Sequence, residues 1–405
     1  MKGKKIVVGI TGGIAAYKAA ELVRLLVKGE ASIRVAMTVN ATRFVTPLTL
    51  EALSEHRVIW DMWGQEGTVM DHISWGQDAD LIIIAPATAN FIAKMAHGIG
   101  DDFLSTLCLA ATAQILVCPS MNTQMYMNPS VKDNIRLLQE RGVTMMTPAE
   151  GSLACGTVGP GRLPEPEAIV EQVWMLLSKQ DLSGLKILVT AGPTIEPIDP
   201  VRYISNRSSG KMGYAVARAA RRRGASVILV SGPTGLKPPL GVNLLPVKTA
   251  EEMMRAVLEN QPLCDIIIKA AAVSDYRPRF FEAQKIKKEA ASMSLELVPN
   301  PDILAKLGAA KKEFPALLVG FAAETQDLLA NAKEKLTAKN LDMIVANDVS
   351  RDDAGFETET NRVKMIFGDG TVEDSPLMTK DEVADLILDR VRTLRGTHAD
   401  DSTRD

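Results

Sequence analysis

Two stretches of the sequence contain residues suited to holding a phosphate group. In each stretch a short apolar run leads through a glycine turn into a helical pattern. The first turn contains Gly12 and Gly13, and the second contains Gly192 and precedes a Ser-Ser-Gly sequence at 208–210. A helix N-terminus behind such a turn offers unpaired backbone N–H groups and the positive end of the helix dipole. This repetition predicts two phosphate- or nucleotide-binding domains in series.

Three further side chains in the first half are candidates for chemistry. His72 lies just before an apolar strand pattern, Asn122 follows another, and Cys155 lies in the Gly- and Pro-rich stretch 150–166. Because packing gives a thiol in such a loop little purpose, Cys155 is a candidate for chemistry rather than for the core. A lone histidine before a strand is more often structural, so the residue by itself leaves the role of His72 open.

The second half places polar residues before a helix start and after a strand. Arg202 and Asn206 precede the Ser-Ser-Gly sequence, and such a forked cation and amide suit an anion that carries phosphate and carboxylate. Asp275 follows an apolar strand and is able to accept hydrogen bonds from a base or sugar. Lys285 begins a Lys-Ile-Lys-Lys run that fits either a triphosphate site or a solvated face.

These residues need elements that bring them to strand ends. Apolar strand patterns alternate with helical ones in both halves, which predicts parallel sheets covered by helices on both faces. The predicted fold class is therefore α/β, with two doubly wound Rossmann-like domains. The predicted strands are 6–10, 33–37, 81–85, 115–118, 143–146, 186–190, 226–230, 265–270, 317–321 and 342–346, and clear helical patterns cover 14–27, 101–113, 131–139 and 166–177.

Changes in composition predict the domain boundaries. The two domains cover residues 1–178 and 185–395, with a linker at 179–184 and a polar tail at 396–405. Because the tail is polar and terminal, we expect it to be disordered.

Local signals mark several helix starts and one turn. Capping boxes begin at Thr249 and Thr379, and Asn300 is a predicted N-cap with proline at the first helical position. The segment 363–372 resembles a hairpin that turns at 368–370.

The composition narrows the class of protein. The chain has 405 residues, a net charge of −3 and 23% charged residues, which gives no electrostatic reason to expect nucleic acid or an anionic membrane. Its four cysteines form no C-x-x-C pair, so we expect neither disulfides nor structural zinc, and a cytoplasmic location. Cys108 and Cys118 lie in apolar runs and are predicted core residues. We expect no signal peptide and no membrane span.

A dinucleotide site is one interpretation of the two glycine turns. NAD-binding domains usually end the second strand in an acidic residue that holds the ribose. Here the corresponding strands end in Thr38 and Ser231, and a hydroxyl suits a phosphate oxygen better than a ribose diol. The sequence therefore favours a mononucleotide at the N-terminal site.

The N-terminal half resembles the flavin-dependent cysteine decarboxylases, the family of phosphopantothenoylcysteine decarboxylase. The motifs that carry the resemblance are 12–18, 71–75, 86–90, 119–125 and 154–156. The resemblance implies a flavodoxin-like fold and bound FMN, which oxidises the substrate's cysteinyl thiol to a thioaldehyde before CO₂ is lost. It implies that His72 is the base, that Asn122 binds the substrate carboxylate and that Cys155 donates a proton. The implied cofactor-binding residues are Gly12, Gly13, Ile14, Thr38, Pro86, Ala87, Thr88, Asn90 and Ser105.

The C-terminal half resembles phosphopantothenate–cysteine ligase. The motifs are 191–194, 202–213, 271–276, 285–288 and 320–325. The resemblance implies that CTP, with Mg²⁺, converts the carboxylate of 4′-phosphopantothenate to an acyl-cytidylate, from which cysteine displaces CMP. It implies that Lys285 promotes the first step, Asn206 serves the second and Arg202 assists substrate binding. The implied CTP-binding residues are Ala271, Asp275, Lys285, Pro301, Asp302, Ile303, Leu304, Phe321, Lys335 and Lys339.

Both halves in this order resemble the bifunctional proteins of bacterial coenzyme A biosynthesis. That resemblance implies trimeric flavin domains and dimeric ligase domains, which together could build a dodecamer. Two other functions remain as alternatives: an NAD(P)-dependent oxidoreductase with two Rossmann units, and a non-catalytic flavin or nucleotide sensor. The metal ligands are not identified by the sequence.

Overall fold

The computed structural model describes residues 1–63, 70–152, 158–287, 293–324, 328–348 and 358–401. The chain divides into two compact units, residues 1–178 and 179–405, here called unit 1 and unit 2. Each unit has its own main sheet and its own apolar clusters. None of the helices in the described part of the chain is long and apolar enough to cross a membrane.

Unit 1 alternates strands and helices through most of its length. Its strands are β1 (Lys5–Ile10), β2 (Ser32–Met37), β3 (Leu81–Ala87), β4 (Gln114–Pro119), β5 (Thr144–Met145), β6 (Ala149–Ser152) and β7 (Val158–Arg162). Its helices are α1 (Tyr17–Lys28), α2 (Pro47–Ser54), α3 (Asp71–Asp78), α4 (Ala89–His97), α5 (Phe103–Ala110), α6 (Thr123–Met127), α7 (Pro129–Glu140) and α8 (Pro166–Leu177).

The main sheet of unit 1 is parallel, with the strand order β2-β1-β3-β4-β5. This is the flavodoxin-like order, in which the direction of chain progression reverses between β1 and β3. Helices cover both faces: Leu22 of α1 and Val173 of α8 pack with Val8, whereas Leu104 of α5 packs with Ile82 on the opposite face. The predicted doubly wound fold is confirmed for unit 1.

Unit 2 has a larger and more varied set of elements. Its strands are β8 (Lys186–Ala191), β9 (Ile195–Pro197), β10 (Tyr203–Ser205), β11 (Ser226–Ser231), β12 (Asn243–Pro246), β13 (Ile266–Lys269), β14 (Tyr276–Pro278), β15 (Leu297–Pro299), β16 (Leu317–Glu324), β17 (Met343–Asp348), β18 (Thr360–Asn361), β19 (Val363–Phe367), β20 (Val372–Asp374) and β21 (Met378–Thr379). Its helices are α9 (Lys211–Arg222), α10 (Ala250–Asn260), α11 (Ile303–Ala309), α12 (Leu328–Ala338) and α13 (Lys380–Asp401).

The main sheet of unit 2 is mixed. Its order is β12-β11-β8-β13-β16-β17-β19-β20. The strands from β12 to β17 are parallel, and β19 and β20 add an antiparallel hairpin to one edge. Val189 of β8, Ala215 of α9 and Ile387 of α13 share one apolar cluster, while Leu188 and Leu307 of α11 belong to another. The Rossmann-like prediction is confirmed, and so is the hairpin at 363–372.

The structure corrects the predicted tail and linker. Helix α13 continues to Asp401, so the prediction of disorder is wrong for residues 396–401. Once Val383 and Val391 have fixed the helix against the core, each further residue costs little to add. The stretch 179–184 is not a free linker, because Leu182 is fully buried in the core of unit 2.

The structure also corrects one predicted helix start. Helix α11 is capped by Asp302, whose carboxylate accepts the Ala305 N–H at 3.0 Å. The Asn300 amide instead donates to the Ser274 carbonyl at 2.8 Å. The predicted capping box at Thr249 is confirmed.

Candidate active sites

In unit 1, the turn between β1 and α1 lies at the carboxyl edge of the sheet, close to the segment that follows β2. A Cβ atom added to Gly12 would lie 2.4 Å from the Cβ of Asn40, so only glycine fits there. Ile14, two residues later, is 61% exposed. The turn therefore presents bare backbone beside an exposed apolar side chain.

Thr11 fastens this turn to the turn after β3. Its hydroxyl donates to the Pro86 carbonyl at 2.8 Å and accepts from the Thr88 N–H at 2.9 Å. Thr88 is in turn the N-cap of α4, where its side chain accepts from the Phe91 N–H. The ends of β1, β2 and β3 are neighbours in the sheet, and they hold the predicted cofactor residues Gly12, Gly13, Ile14, Thr38, Pro86, Ala87, Thr88 and Asn90.

These residues fit a flavin mononucleotide in their chemistry. Backbone N–H groups at the start of α4 and the Thr38 hydroxyl suit a phosphate group. The exposed Ile14 suits a flat ring. Ala87 is fully buried, so its contact with a cofactor stays a prediction. The fit rests on the bare backbone of the turn, where a Cβ at Gly12 would clash with Asn40.

His72 and Ser105 lie where α3 meets α5. The His72 ring meets Phe103 edge-on, with 6.5 Å between the ring centroids. Ser105 is 2% exposed and forms a capping box with Asp102, to whose carbonyl its hydroxyl donates at 3.1 Å. The Ser105 hydroxyl is thus already engaged within its own helix, and its contact with a cofactor stays a prediction.

Asn122 follows β4 and begins α6, and the hairpin of β6 and β7 is pinned beside it. The Asn122 side chain accepts the Gln124 N–H at 2.8 Å. The neighbouring Met121 N–H donates to the Gly161 carbonyl at 2.9 Å, and a Cβ on Gly161 would lie 2.2 Å from the Met121 carbonyl oxygen. Cys155 belongs to the loop between these strands and lies outside the described residues.

The cysteines that the structure describes are poorly suited to proton transfer. Cys108, Cys118 and Cys264 are free thiols. Burial raises the pKa of Cys108 to about 12 and that of Cys264 to about 11, and it also raises the pKa of Cys118. Cys118 is fully buried, which confirms its predicted place in the core.

In unit 2, a cavity of about 430 Å³ borders the carboxyl edge of the sheet. Its walls come from the N-terminus of α9, the ends of β13 and β16, and parts of α11 and α12. The predicted residues that line this cavity are Asn206, Ala271, Asp275, Leu304, Phe321, Lys335 and Lys339. The structure therefore gathers most of the predicted CTP-binding residues around one space.

Glycines allow α9 to start directly against β8. A Cβ on Gly213 would lie 2.6 Å from the Ala191 Cβ and 2.9 Å from the Thr190 carbonyl oxygen. Gly210, the N-cap, has a φ of +77°. Because residues 210–213 line the cavity, the positive end of the helix dipole lies at its wall.

Two loops of this site are joined by Asn206. Its amide donates to the Val273 carbonyl at 3.1 Å and to the Ala272 carbonyl at 3.4 Å. This links the loop before α9 to the loop after β13, where Asp275 lies.

The buried carboxylate of Asp199 holds Arg202 and the backbone of Ile286, the residue after Lys285. Asp199 accepts the N–H groups of Val201 and Arg202 at 2.8 Å and that of Ile286 at 3.1 Å. The Arg202 guanidinium donates to Asp199 and to the Ile286 carbonyl. Burial opposes ionisation, but these N–H groups and the guanidinium hold the pKa of Asp199 below its usual range. Lys285 is exposed and borders a second cavity, of about 680 Å³.

Of the described residues, several predicted ones do not line the first cavity: Arg202, Lys285, Pro301, Asp302 and Ile303. The Ile303 side chain is 2% exposed and lies in the core. Asp302 pairs with Lys339 at 2.9 Å, which places it beside a residue that does line the cavity.

Sequence reasoning missed several cations of the first cavity: Lys211, Lys269 and Lys380. Lys380 is 6% exposed and donates to the Thr358 carbonyl at 2.5 Å, and burial together with nearby Lys211 lowers its pKa. Lys269 follows three isoleucines in its strand. A charged residue at the end of such an apolar strand is the sequence signal that could have identified it as a residue of the site.

In a comparison with known proteins, the two units match two different family models. Residues 1–178 match the family model described as Flavoprotein, and residues 182–394 match DFP, the DNA/pantothenate metabolism flavoprotein C-terminal domain. The chain is 48% identical over 399 residues to the coenzyme A biosynthesis bifunctional protein CoaBC of Bacillus subtilis, covering 97% of this chain and 98% of that protein. It belongs to the CoaBC family.

A second curated relative agrees with this membership. CoaBC of Escherichia coli is 46% identical over 398 residues, which cover 97% of this chain and 98% of that protein. A crystal structure of the C-terminal domain of a CoaBC protein is 45% identical, with a TM-score of 0.47, and the match covers 54% of this chain and 100% of that one.

Membership of the CoaBC family makes this chain a bifunctional enzyme of coenzyme A biosynthesis, with a decarboxylase and a ligase activity. It confirms both resemblances that the sequence motifs predicted. The alternative of an NAD(P)-dependent oxidoreductase is not favoured.

Proposed function

We propose that the two units catalyse consecutive steps. Unit 2 uses CTP to join cysteine to 4′-phosphopantothenate by way of an acyl-cytidylate. Unit 1 then decarboxylates the product, 4′-phosphopantothenoylcysteine, to 4′-phosphopantetheine. The main support is the cavity of unit 2, because the N-terminus of α9 and several lysines border the same space and would suit a substrate phosphate and a triphosphate together.

In unit 1, the proposed cofactor is FMN, held by the two turns that Thr11 fastens together. When bound, FMN would accept a hydride from the carbon that carries the substrate's cysteinyl thiol and later return it. We propose that His72 removes a proton, that Asn122 binds the substrate carboxylate and that Cys155 supplies the final proton. The hairpin of β6 and β7 supports the roles of Asn122 and Cys155, since β7 contacts the segment that begins with Met121.

In unit 2, we propose that Lys285 promotes acyl-cytidylate formation, that Asn206 serves its conversion to product and that Arg202 helps to bind the substrate. Asp199 supports a common role for Lys285 and Arg202. Its carboxylate binds both the Arg202 guanidinium and the backbone N–H of Ile286, the residue after Lys285. Since Lys285 does not line the first cavity of the described residues, its role requires the segment 284–287 to close over bound substrates. Mg²⁺ would accompany CTP.

The ligase activity is tested with the full-length protein, phosphopantothenate, cysteine and each nucleoside triphosphate in turn. We expect pyrophosphate release with CTP and a product mass equal to that of phosphopantothenoylcysteine or its decarboxylated form. Lys285→Gln should lower the rate by about 100-fold or more, whereas the exposed neighbour Lys287→Gln is the matched control. Equal rates for the two variants would remove Lys285 from the mechanism.

The decarboxylase activity is tested by the absorption spectrum and by product analysis. The purified protein should be yellow, and Cys155→Ser should keep the flavin but lose the decarboxylated product. Cys108→Ser is the control within the same unit. A colourless protein that binds NADH would contradict the proposal for unit 1.

Assembly and location complete the proposal. We propose trimeric contacts of unit 1, dimeric contacts of unit 2 and a dodecamer of about 526 kDa, for twelve chains of 43.8 kDa. The exposed apolar side chains of Leu48 and Trp63, 73% and 82% exposed, support contacts of unit 1 with another chain. The free thiols of the described cysteines support a cytoplasmic location. Light scattering of the purified protein measures the assembly.

A further inference from the structure

Lys269 is a cation of the unit 2 cavity whose side chain has no partner among the described residues. It ends β13, is partly buried and lines the cavity. Within the described residues, its ammonium group makes no hydrogen bond and no ion pair. A buried charge without a partner is costly, so this position favours an anion that arrives from outside the chain.

The surroundings of Lys269 indicate which anion that would be. The charged groups that act on it are Lys335 and Lys339 of α12, Asp302 at the start of α11, and Asp275 in the loop after β13. Asp302 already pairs with Lys339 at 2.9 Å, and Asp275 is exposed. Lys269 therefore lies near two further lysines, one of which, Lys339, pairs with Asp302. A neutral base would not offset them, whereas a chain of phosphates would.

We propose that the ammonium group of Lys269 binds the phosphate chain of the nucleoside triphosphate, together with Lys335 and Lys339. The proposal rests on the nucleotide site of unit 2 proposed above and adds to it a residue outside the predicted set. It also separates two ends of the cavity. The N-terminus of α9 is left for the other phosphate-bearing substrate, and the end near α12 holds the nucleotide.

The position of Lys269 also predicts proton uptake when the nucleotide binds. Burial, followed by repulsion from Lys339, lowers the pKa of Lys269 to about 8. A polyanion beside the amine would raise this pKa again. Nucleotide binding near pH 8 should therefore take up a fraction of a proton at Lys269.

The test is calorimetric titration of the full-length protein with CTP and MgCl₂ at pH 8, in two buffers of different ionisation enthalpy. We expect Lys269→Met to weaken CTP binding by about tenfold or more and to abolish most of the proton uptake. CMP binding should change much less, because CMP carries a single phosphate. Lys269→Gln repeats the test if the methionine variant does not fold.

The matched control is Lys306→Met, which removes an exposed lysine of α11 outside the cavity lining. It should bind CTP like the unmodified protein and take up the same fraction of a proton. Binding by Lys269→Met within twofold of the unmodified protein, with unchanged proton uptake, would overturn the role of Lys269 alone. Failure of the unmodified protein to bind CTP would overturn the nucleotide site itself.

Discussion

At Gly161, β7 passes close to the segment that follows β4. Its φ of +137° lies in the region that favours glycine, and an added Cβ would meet the Met121 carbonyl oxygen at 2.2 Å. Backbone cannot yield as a flexible side chain can. The close approach therefore fixes the hairpin of β6 and β7 beside Asn122.

We predict that Gly161→Ala destabilises unit 1 by about 2–4 kcal/mol, because it combines backbone strain with a steric clash. Gly142→Ala is the control: Gly142 also has a positive φ, of +87°, but nothing lies within 4 Å of an added Cβ. That variant should cost only about 1 kcal/mol. Urea unfolding measures both, and equal losses would show that the contact with Met121 is unimportant.

Lys269 also affects stability as a function of pH. Because burial lowers its pKa to about 8, the charged amine destabilises the folded protein fully below about pH 8. The cost fades as pH rises towards the unfolded pKa, about 10.4. Lys269→Met should thus raise the free energy of unfolding by about 1–3 kcal/mol at pH 7 and by much less at pH 10.5. A gain that is the same at both pH values would contradict this account.

At the scale of elements, the start of unit 2 is held by charge as well as by burial. Arg223, which follows α9, donates to both carboxylate oxygens of Asp181 at 2.9 and 2.8 Å and pairs with Asp389 of α13 at 2.8 Å. The Arg223 side chain is 7% exposed. One guanidinium therefore joins the segment 179–184, α9 and α13.

We predict that Arg223→Met destabilises unit 2 by about 3–5 kcal/mol, because it leaves the Asp181 carboxylate without its main partner. Arg392→Met removes an exposed arginine that also pairs with Asp181, at 3.2 Å, and should cost less than about 1 kcal/mol. Unfolding of the two variants by urea at pH 7 gives the comparison.

The same pair predicts a pH dependence. Hydrogen bonds from Arg223 hold the pKa of Asp181 below its usual range. The stability that this provides is present above the unfolded pKa of about 3.9 and is lost as pH falls through the lower folded value. The difference between Arg223→Met and the unmodified protein should therefore shrink in acid.

For the molecule as a whole, each unit has its own main sheet and its own apolar clusters among the described residues. We therefore predict that fragments 1–178 and 179–405 fold separately. The first should bind FMN, and the second should release pyrophosphate with CTP. Separate expression with spectroscopy and a pyrophosphate assay measures this. A folded second fragment without ligase activity would show that the ligase needs unit 1.

Continuous apolar runs made the central strands predictable, because strands as apolar as β3 and β13 are buried on both faces in the middle of a sheet. The edge strand β12 was missed because its sequence, Asn243–Pro246, is short and mixed. Two nearby polar residues, Asn300 and Asp302, were both suited to cap α11, and only the folded loop shows that Asn300 bonds to Ser274 instead. Lys269 lies more than sixty residues before Lys335 and Lys339, and no local pattern reveals that long-range approach.

The double role of the Thr11 hydroxyl has a consequence for kinetics. The Thr11 hydroxyl oxygen joins the ends of β1 and β3. These two strand ends are therefore already aligned without flavin and need no rearrangement when flavin binds. Preorganised sites spend little entropy on ordering. Uptake of flavin by the stripped protein should accordingly proceed in a single exponential phase whose rate rises linearly with flavin concentration, and Thr11→Val should introduce a slower, concentration-independent step.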